Sequence, residues 1–341
     1  MKNVRLEDIA KELDITKVSV SKALRDHKDI SEETRKKVKK KAKEMGYHPN
    51  LQARSLTSKV TNTIGVIVPK IAHAFFAATI EGIYKAAEKE GYKVILGVSY
   101  ENEQLEKEHL ESMINMRVDG LVVSVTEKTK KPDIFEDAKE MGINLVFFDR
   151  GFTDAGFSYV KVNDRESARK GVKHLIGLGY KDIAHIAGYS SSTIGKQRRT
   201  GYNEALQEAE LSMSESAIIE GGFSEVDGAR GFKILLEQYG KPEAIFAVTY
   251  PVGLGILSEM HKLGISPADI PILAFGDSDF NQYLETPFIC IDQPNYELGK
   301  RAFEQLFKEM KAKEDVIPEM VIMSAGLAKK PEWISSDNLP V

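Results

Sequence analysis

The sequence predicts an α/β protein in two parts. A three-helix helix-turn-helix head comes first, and a two-lobed core of parallel sheets follows. Three observations carry this reading: two amphipathic helices only a few residues apart at the start, a reversal of charge near residue 60, and alternating strand-like and helical runs from residue 62 onward.

In the head, Leu6, Ile9, Ala10 and Leu13 fall at i, i+3, i+4 and i+7, one apolar face of a helix. Thr16 is a suitable N-cap, so a second short helix starts at Lys17. Helices joined this tightly cross rather than lie antiparallel, as in a DNA-binding helix-turn-helix. Ser31 caps a third helix, with Glu32 and Glu33 at its positive end. Its inner face is Val38, Ala42 and Met45; Arg35, Lys36, Lys37, Lys39, Lys40, Lys41 and Lys43 form the outer face, and residues 46–50 stop it. Alone, that lysine run reads as a solvated face; beside the turn geometry it reads as part of a polyanion-binding module. Residues 1–60 hold 16 Lys and Arg against 9 Asp and Glu, net +7, which leaves 31 against 42, net −11, for residues 61–341. A basic head on an acidic body separates two tasks.

In the core, residues 63–68, 93–96, 120–124 and 144–148 are short buried-strand runs separated by helical stretches of roughly 12–16 residues. After a break near Val162 the alternation resumes at residues 183–187, 244–248 and 272–275. Strand–helix alternation means parallel sheets covered on both faces, and two sets mean two lobes with a cleft between them. Ligands favour such clefts and the carboxyl ends of the strands.

Composition narrows the function classes. The 341 residues fit two to three domains, and no apolar run approaches the ~18 residues a membrane span needs. Acidic residues stand near the start where a signal peptide needs an apolar stretch, so a cytoplasmic location is expected. Cys290, the single cysteine, lies in the apolar run 288–291 and reads as core. No metal site and no cofactor are expected: the seven histidines are scattered, and His109 and His174 read as surface or packing residues. Residues 69–75 after the first strand form no glycine-rich phosphate turn, and neither a nucleophile elbow nor a zinc-protease helix occurs, so no enzyme is expected. A solute-binding protein would share the two-lobed body, yet it would lack the head.

The chain resembles the lac/galactose-repressor family of transcription factors over essentially its full length. The resemblance rests on Ile15–Lys22, Ile30–Arg35, Met45–Asn50, Ala53–Leu56, Thr63–Pro69, Arg117–Gly120, Phe148–Arg150, Arg198–Tyr202 and Ile291–Pro294, in the family's order and spacing. It implies a helix-turn-helix domain at 1–48, a hinge helix at 49–60 and a periplasmic-binding-protein-like effector core with Rossmann-like lobes at 61–341. The N-lobe would be about 61–162 and 292–323, the C-lobe about 163–291 and 324–338.

By the same resemblance Lys17, Val18 and Lys22 face the major groove, with packing in the head core as the alternative for Val18. Thr16, Ser19, Ser21 and Arg25 hold phosphates, and Leu56, beside small Ala53, wedges a base step in the minor groove. The alternative for that segment is an ordinary linker. Lys22 stands where arginine is common, and Asp14 replaces a frequent turn glycine. In the cleft, Phe75, Phe76 and Phe223 offer ring faces, or else pack in the core. Asp149, Arg198, Tyr250, Asp277 and Gln293 supply polar contacts, with a surface salt bridge as the alternative for Arg198. Thr249-Tyr250 and Gly276 replace an expected Asn-Asp and an aspartate. With Lys196, Arg199 and Arg150 nearby, this predicts a less acidic site: for an acidic or phosphorylated sugar, or a ligand more aromatic than a neutral sugar. The partners implied are a near-palindromic DNA operator, a small-molecule effector or co-repressor, and a second copy of the chain. The short tail, 329–341, has no leucine heptad, so a dimer is expected.

Overall fold

The computed structural model describes residues 4–47, 60–212, 214–276, 281–314 and 316–328. The chain divides into two compact units, Met1–Thr61 and Asn62–Val341.

In the first unit, α1 (Leu6–Glu12), α2 (Lys17–Leu24) and α3 (Glu32–Glu44) surround a core of Ile9, Ala10, Val20, Ala23, Val38 and Ala42. The tight turn between α1 and α2 needs one left-handed residue. Asp14 takes that place at φ 50°, a conformation aspartate tolerates better than most residues. Thr16 Oγ1 accepts the Ser19 N–H at 3.0 Å, and Ser31 Oγ accepts the Thr34 N–H at 3.2 Å, so both expected caps form.

The second unit holds two six-stranded sheets. The first half is β1 (Thr63–Val68), α4 (Ala74–Lys89), β2 (Lys93–Val98), α5 (Glu103–Asn115), β3 (Gly120–Val123), α6 (Asp133–Glu140), β4 (Asn144–Phe148) and β5 (Ser158–Val162). The second is α7 (Asp164–Gly177), β6 (Ile183–Ala187), α8 (Thr193–Glu208), β7 (Ile218–Glu220), α9 (Glu225–Gln238), β8 (Ala244–Ala247), α10 (Tyr250–Leu263), β9 (Ile272–Phe275) and β10 (Ile289–Asp292). The chain then returns through α11 (Asn295–Lys311), β11 (Met320–Met323) and β12 (Gly326–Leu327).

The strand orders are β11-β5-β4-β3-β1-β2 and β12-β10-β9-β8-β6-β7, the same path twice. Neighbours are parallel except β10 and β12, which are antiparallel. The chain passes between the sheets three times, through residue 163, residues 293–294 and residues 324–325. One apolar cluster continues across the seam, from Ile64, Val66 and Phe76 to Phe246, Leu273 and Phe275. Helices α4 and α11 cross at backbone contact in the first lobe. A Cβ on Gly82 would collide with the Tyr296 carbonyl, and one on Gly299 with that of Thr79.

The strands at 63–68, 144–148, 183–187 and 272–275 coincide with their apolar runs. β5, β7, β11 and β12 do not separate from loop by pattern, and the run at 288–291 overlaps strand β10. Helix α6 is shorter than the expected stretch, at eight residues.

Candidate functional site

The head presents one face of α2. Val20 and Ala23 turn into its core, which leaves Val18, Ser21, Lys22 and Arg25 on the opposite side of the helix. Val18 is 63% exposed, so it is not a core residue. Lys17 reaches Glu7 at 2.8 Å and Lys22 reaches Asp29 at 2.9 Å, both at the surface. Arg25 Nε donates to the Ser21 carbonyl at 3.1 Å, and the Thr16 and Ser19 hydroxyls lie 2.9 Å apart. Ala53 and Leu56 lie outside the described residues.

In the second unit a cavity of about 460 Å³ lies where the strands end. Phe75 and Phe76 follow β1, Asp149 and Arg150 follow β4, and Phe223 follows β7; Tyr250 follows β8, and Gln293 follows β10. All of these line it, with Arg198 from α8; Asp277 lies outside the described residues. Ile194, Leu254, Leu284 and Phe275 complete a mostly apolar wall. Phe76, 3% exposed, packs edge-on against Phe148, and Phe223, 5% exposed, packs against Tyr189. These two rings therefore serve the core and the cavity together.

Arg198 lines the cavity, and its salt bridge is buried rather than at the surface. It is 3% exposed. Its Nε donates to Asp164 Oδ1 at 2.8 Å, Nη2 lies 2.7 Å from the same oxygen, and Nη1 donates to the Val248 carbonyl at 2.6 Å. The guanidinium carbon sits 3.6 Å from the centre of the Phe275 ring. About two of its five N–H groups remain for other partners. Nothing in the sequence near Arg198 announces Asp164, which stands 34 positions earlier at the start of α7.

Arg150 gathers the opposite sign. It lies 2.9 Å from Glu101, 3.7 Å from Glu127 and 3.9 Å from Asp149. It also lies 5.4 Å from the centre of the Phe223 ring, so a residue of the first lobe caps an aromatic of the second. Burial would raise the Glu101 carboxyl, yet Arg150 holds it below its ordinary range. Burial pushes Asp149 up to about 7, against the pull of Arg150. Asp149 adopts φ 56°, held there by its N–H to the Val160 carbonyl at 3.0 Å and the Tyr159 hydroxyl on its own carbonyl at 2.7 Å. Near Glu101, Glu106 is fully buried and is also pushed up by burial to about 7. It accepts from the Thr126 N–H at 2.7 Å and the Thr129 hydroxyl at 2.5 Å.

Of the basic neighbours expected to make the site less acidic, only Arg150 lines the cavity. Lys196 is exposed and away from the wall, and Arg199 pairs with Glu215 at 2.9 Å. Arg150 and Arg198 face four carboxyls, Glu101, Glu127, Asp149 and Asp164, and Glu225 is a fifth carboxyl in the cavity wall.

Residues 5–50 match the family of bacterial regulatory proteins, lacI family, and residues 61–330 match periplasmic binding proteins and sugar binding domain of LacI family. The chain belongs to the lacI family. Among its relatives, catabolite control protein A of Priestia megaterium is 30% identical, over 90% of this chain and 93% of the relative. The ribose operon repressor of Haemophilus influenzae is 29% identical, over 90% of this chain and 92% of the relative. In fold, the structure is similar to a lac repressor dimer bound to operator and the anti-inducer ONPF. The TM-score is 0.84 at 21% identity, covering 96% of this chain and 98% of that one. It is also similar to the transcriptional regulator CelR–cellobiose complex, TM-score 0.72 at 25% identity, covering 96% and 99%.

As a lacI-family member the chain is a DNA-binding transcriptional regulator with an effector-binding core, in a family that is not enzymatic. Among the described residues no helix is long and apolar enough to cross a membrane.

Proposed function

We propose that this lacI-family regulator is a cytoplasmic homodimeric repressor whose effector is an uncharged ring compound with flat apolar faces and one polar edge. The head spans 1–48, the hinge helix 49–60 and the effector core 61–341. Lys17, Val18 and Lys22 read base edges, while Thr16, Ser19, Ser21 and Arg25 hold phosphates. Leu56, with Ala53 allowing close approach, wedges the minor groove. Two heads on one dimer call for a near-palindromic operator.

One observation supports the effector class. The cavity is walled by Phe75, Phe76, Phe223, Tyr250 and Phe275, while Arg198 is already paired with Asp164 and Arg150 with Glu101. An acidic or phosphorylated sugar would meet an excess of carboxyls rather than a free cation. A neutral sugar is the second reading, favoured by the likeness to cellobiose-bound CelR. Polar groups such as His73, Asp149, Glu225, Thr249 and Gln293 share the wall with more numerous apolar side chains, which a fully hydroxylated ring would leave unmatched.

The effector is tested by thermal denaturation of the full chain with neutral heteroaromatics, neutral sugars and sugar phosphates. Protection by the first group is expected; protection by neutral monosaccharides alone, or by phosphosugars, rejects this class. The DNA reading is tested by selecting bound duplexes from a randomised pool. A palindromic consensus is expected, with several-fold weaker binding by Leu56→Ala; no enrichment either without or with the effector pool rejects the head assignment.

A further inference from the structure

Reading by α2 leaves the outer face of α3 without a role. From Thr34 to Lys43 there is no acidic residue, and seven of these ten positions are Lys or Arg. A solvated helix normally mixes its signs, because like charges four residues apart destabilise it. Lys36 and Lys40, Lys37 and Lys41, and Lys39 and Lys43 are three such pairs on one helix. Neighbouring acids offset part of the repulsion: Lys36 meets Glu32 at 2.8 Å, Lys37 meets Glu33 at 2.9 Å, Lys39 meets Asp26 at 2.6 Å and Lys41 meets Glu12 at 2.7 Å. Lys40 and Lys43, both exposed, make no ion pair among the described residues.

Lys36, Lys40 and Lys43 stand at i, i+4 and i+7, opposite the buried Val38 and Ala42. Three helices around one core point their outer faces in diverging directions, so this stripe is distinct from the reading face of α2. It spans about 10 Å of rigid helix, the axial rise of about three phosphates along one DNA strand. Lysine is a point charge suited to backbone phosphates rather than to bidentate base reading. A membrane surface would require apolar residues on the exposed side, whereas Val38 and Ala42 are both spent inside the head.

We infer that the outer face of α3 is a second DNA-contacting surface, in which Lys36, Lys40 and Lys43 bind the duplex phosphate backbone without regard to sequence.

The test measures affinity of the full chain for a random-sequence duplex between about 50 and 200 mM salt. The triple variant Lys36→Gln, Lys40→Gln, Lys43→Gln is compared with Lys85→Gln, Lys89→Gln, Lys107→Gln, exposed lysines of α4 and α5 that lose the same charge. The α3 triple should bind roughly tenfold or more weakly at low salt, with a slope of log affinity on log salt shallower by about two to three. Lys40→Gln alone should reduce it by about 0.9, which keeps the question open to decision if the triple folds poorly. An unchanged slope in the α3 variants, or an equal loss in the α4 and α5 triple, overturns the inference.

Discussion

The two lobes of the core follow the same strand order, yet they keep their buried charges in different ways. In the second lobe Arg198 and Asp164 form a one-to-one pair, closed by the Val248 carbonyl and the Phe275 ring. In the first, Arg150 is shared among Glu101, Glu127 and Asp149, with the buried Glu106 near Glu101. The same topology thus carries a fixed charge pair on one side of the cavity and a titratable cluster on the other.

The fixed pair gives the largest expected effect. Arg198→Met strands the Asp164 carboxylate in a low-dielectric site and should cost about 3–5 kcal/mol in urea unfolding. Arg150→Met should cost less, because its carboxyls can take up protons instead. Equal losses in the two variants would erase the distinction between the lobes.

The pH dependence comes next, with opposite signs on the two sides. Asp149 and Glu106 hold protons up to about pH 7, whereas their ordinary values are 3.8 and 4.5. The folded state therefore binds more protons over that window, and their contribution to stability falls as pH rises from about 4 to 7. His185, in the second lobe, is fully buried against Phe246 with its rings 4.4 Å apart, and burial lowers it to about 4. The unfolded chain takes up that proton below 6.5, so this contribution rises with pH from about 4 to 6.5. Melting temperatures across this range should fall less steeply in the double variant Asp149→Asn, Glu106→Gln; a profile like the parent's would refute the buried-acid assignment.

Ring contacts should give smaller changes. Phe75→Ala in the first lobe and Phe223→Ala in the second should each weaken the effector by about 0.5–1.5 kcal/mol, roughly two- to tenfold, by calorimetric titration. Phe223→Ala should have the larger effect because it also removes the ring beneath Arg150. A loss confined to Phe75 would make the stacking one-sided.

Much of this architecture was legible in the sequence because it is periodic. Thr16 and Ser31 cap where their residue types require, and the central strands are continuous β-branched and apolar runs. β7, β11 and β12 are short and lie at or near sheet edges; β11 exposes Met320 and Ile322, so its pattern does not separate it from a loop. The family resemblance places Phe75, Phe76 and Phe223 in the cavity, though not Phe275. The partners of Arg198 and Arg150 were not legible, because Asp164 and Glu101 reach them only through tertiary packing. That omission made the site look more basic than it is.

The three passages between the lobes are one, two and two residues long. Struts this short, crossing one seam side by side, oppose twisting and sliding far more than bending, so opening and closing about a single line is the soft motion left to the core. Gln293 lies within the second strut, and Asp164 begins immediately after the first. A ligand that met Gln293 and Arg198 would grip the molecule close to that line, where a small local displacement would be levered into a larger one at the far ends of the lobes.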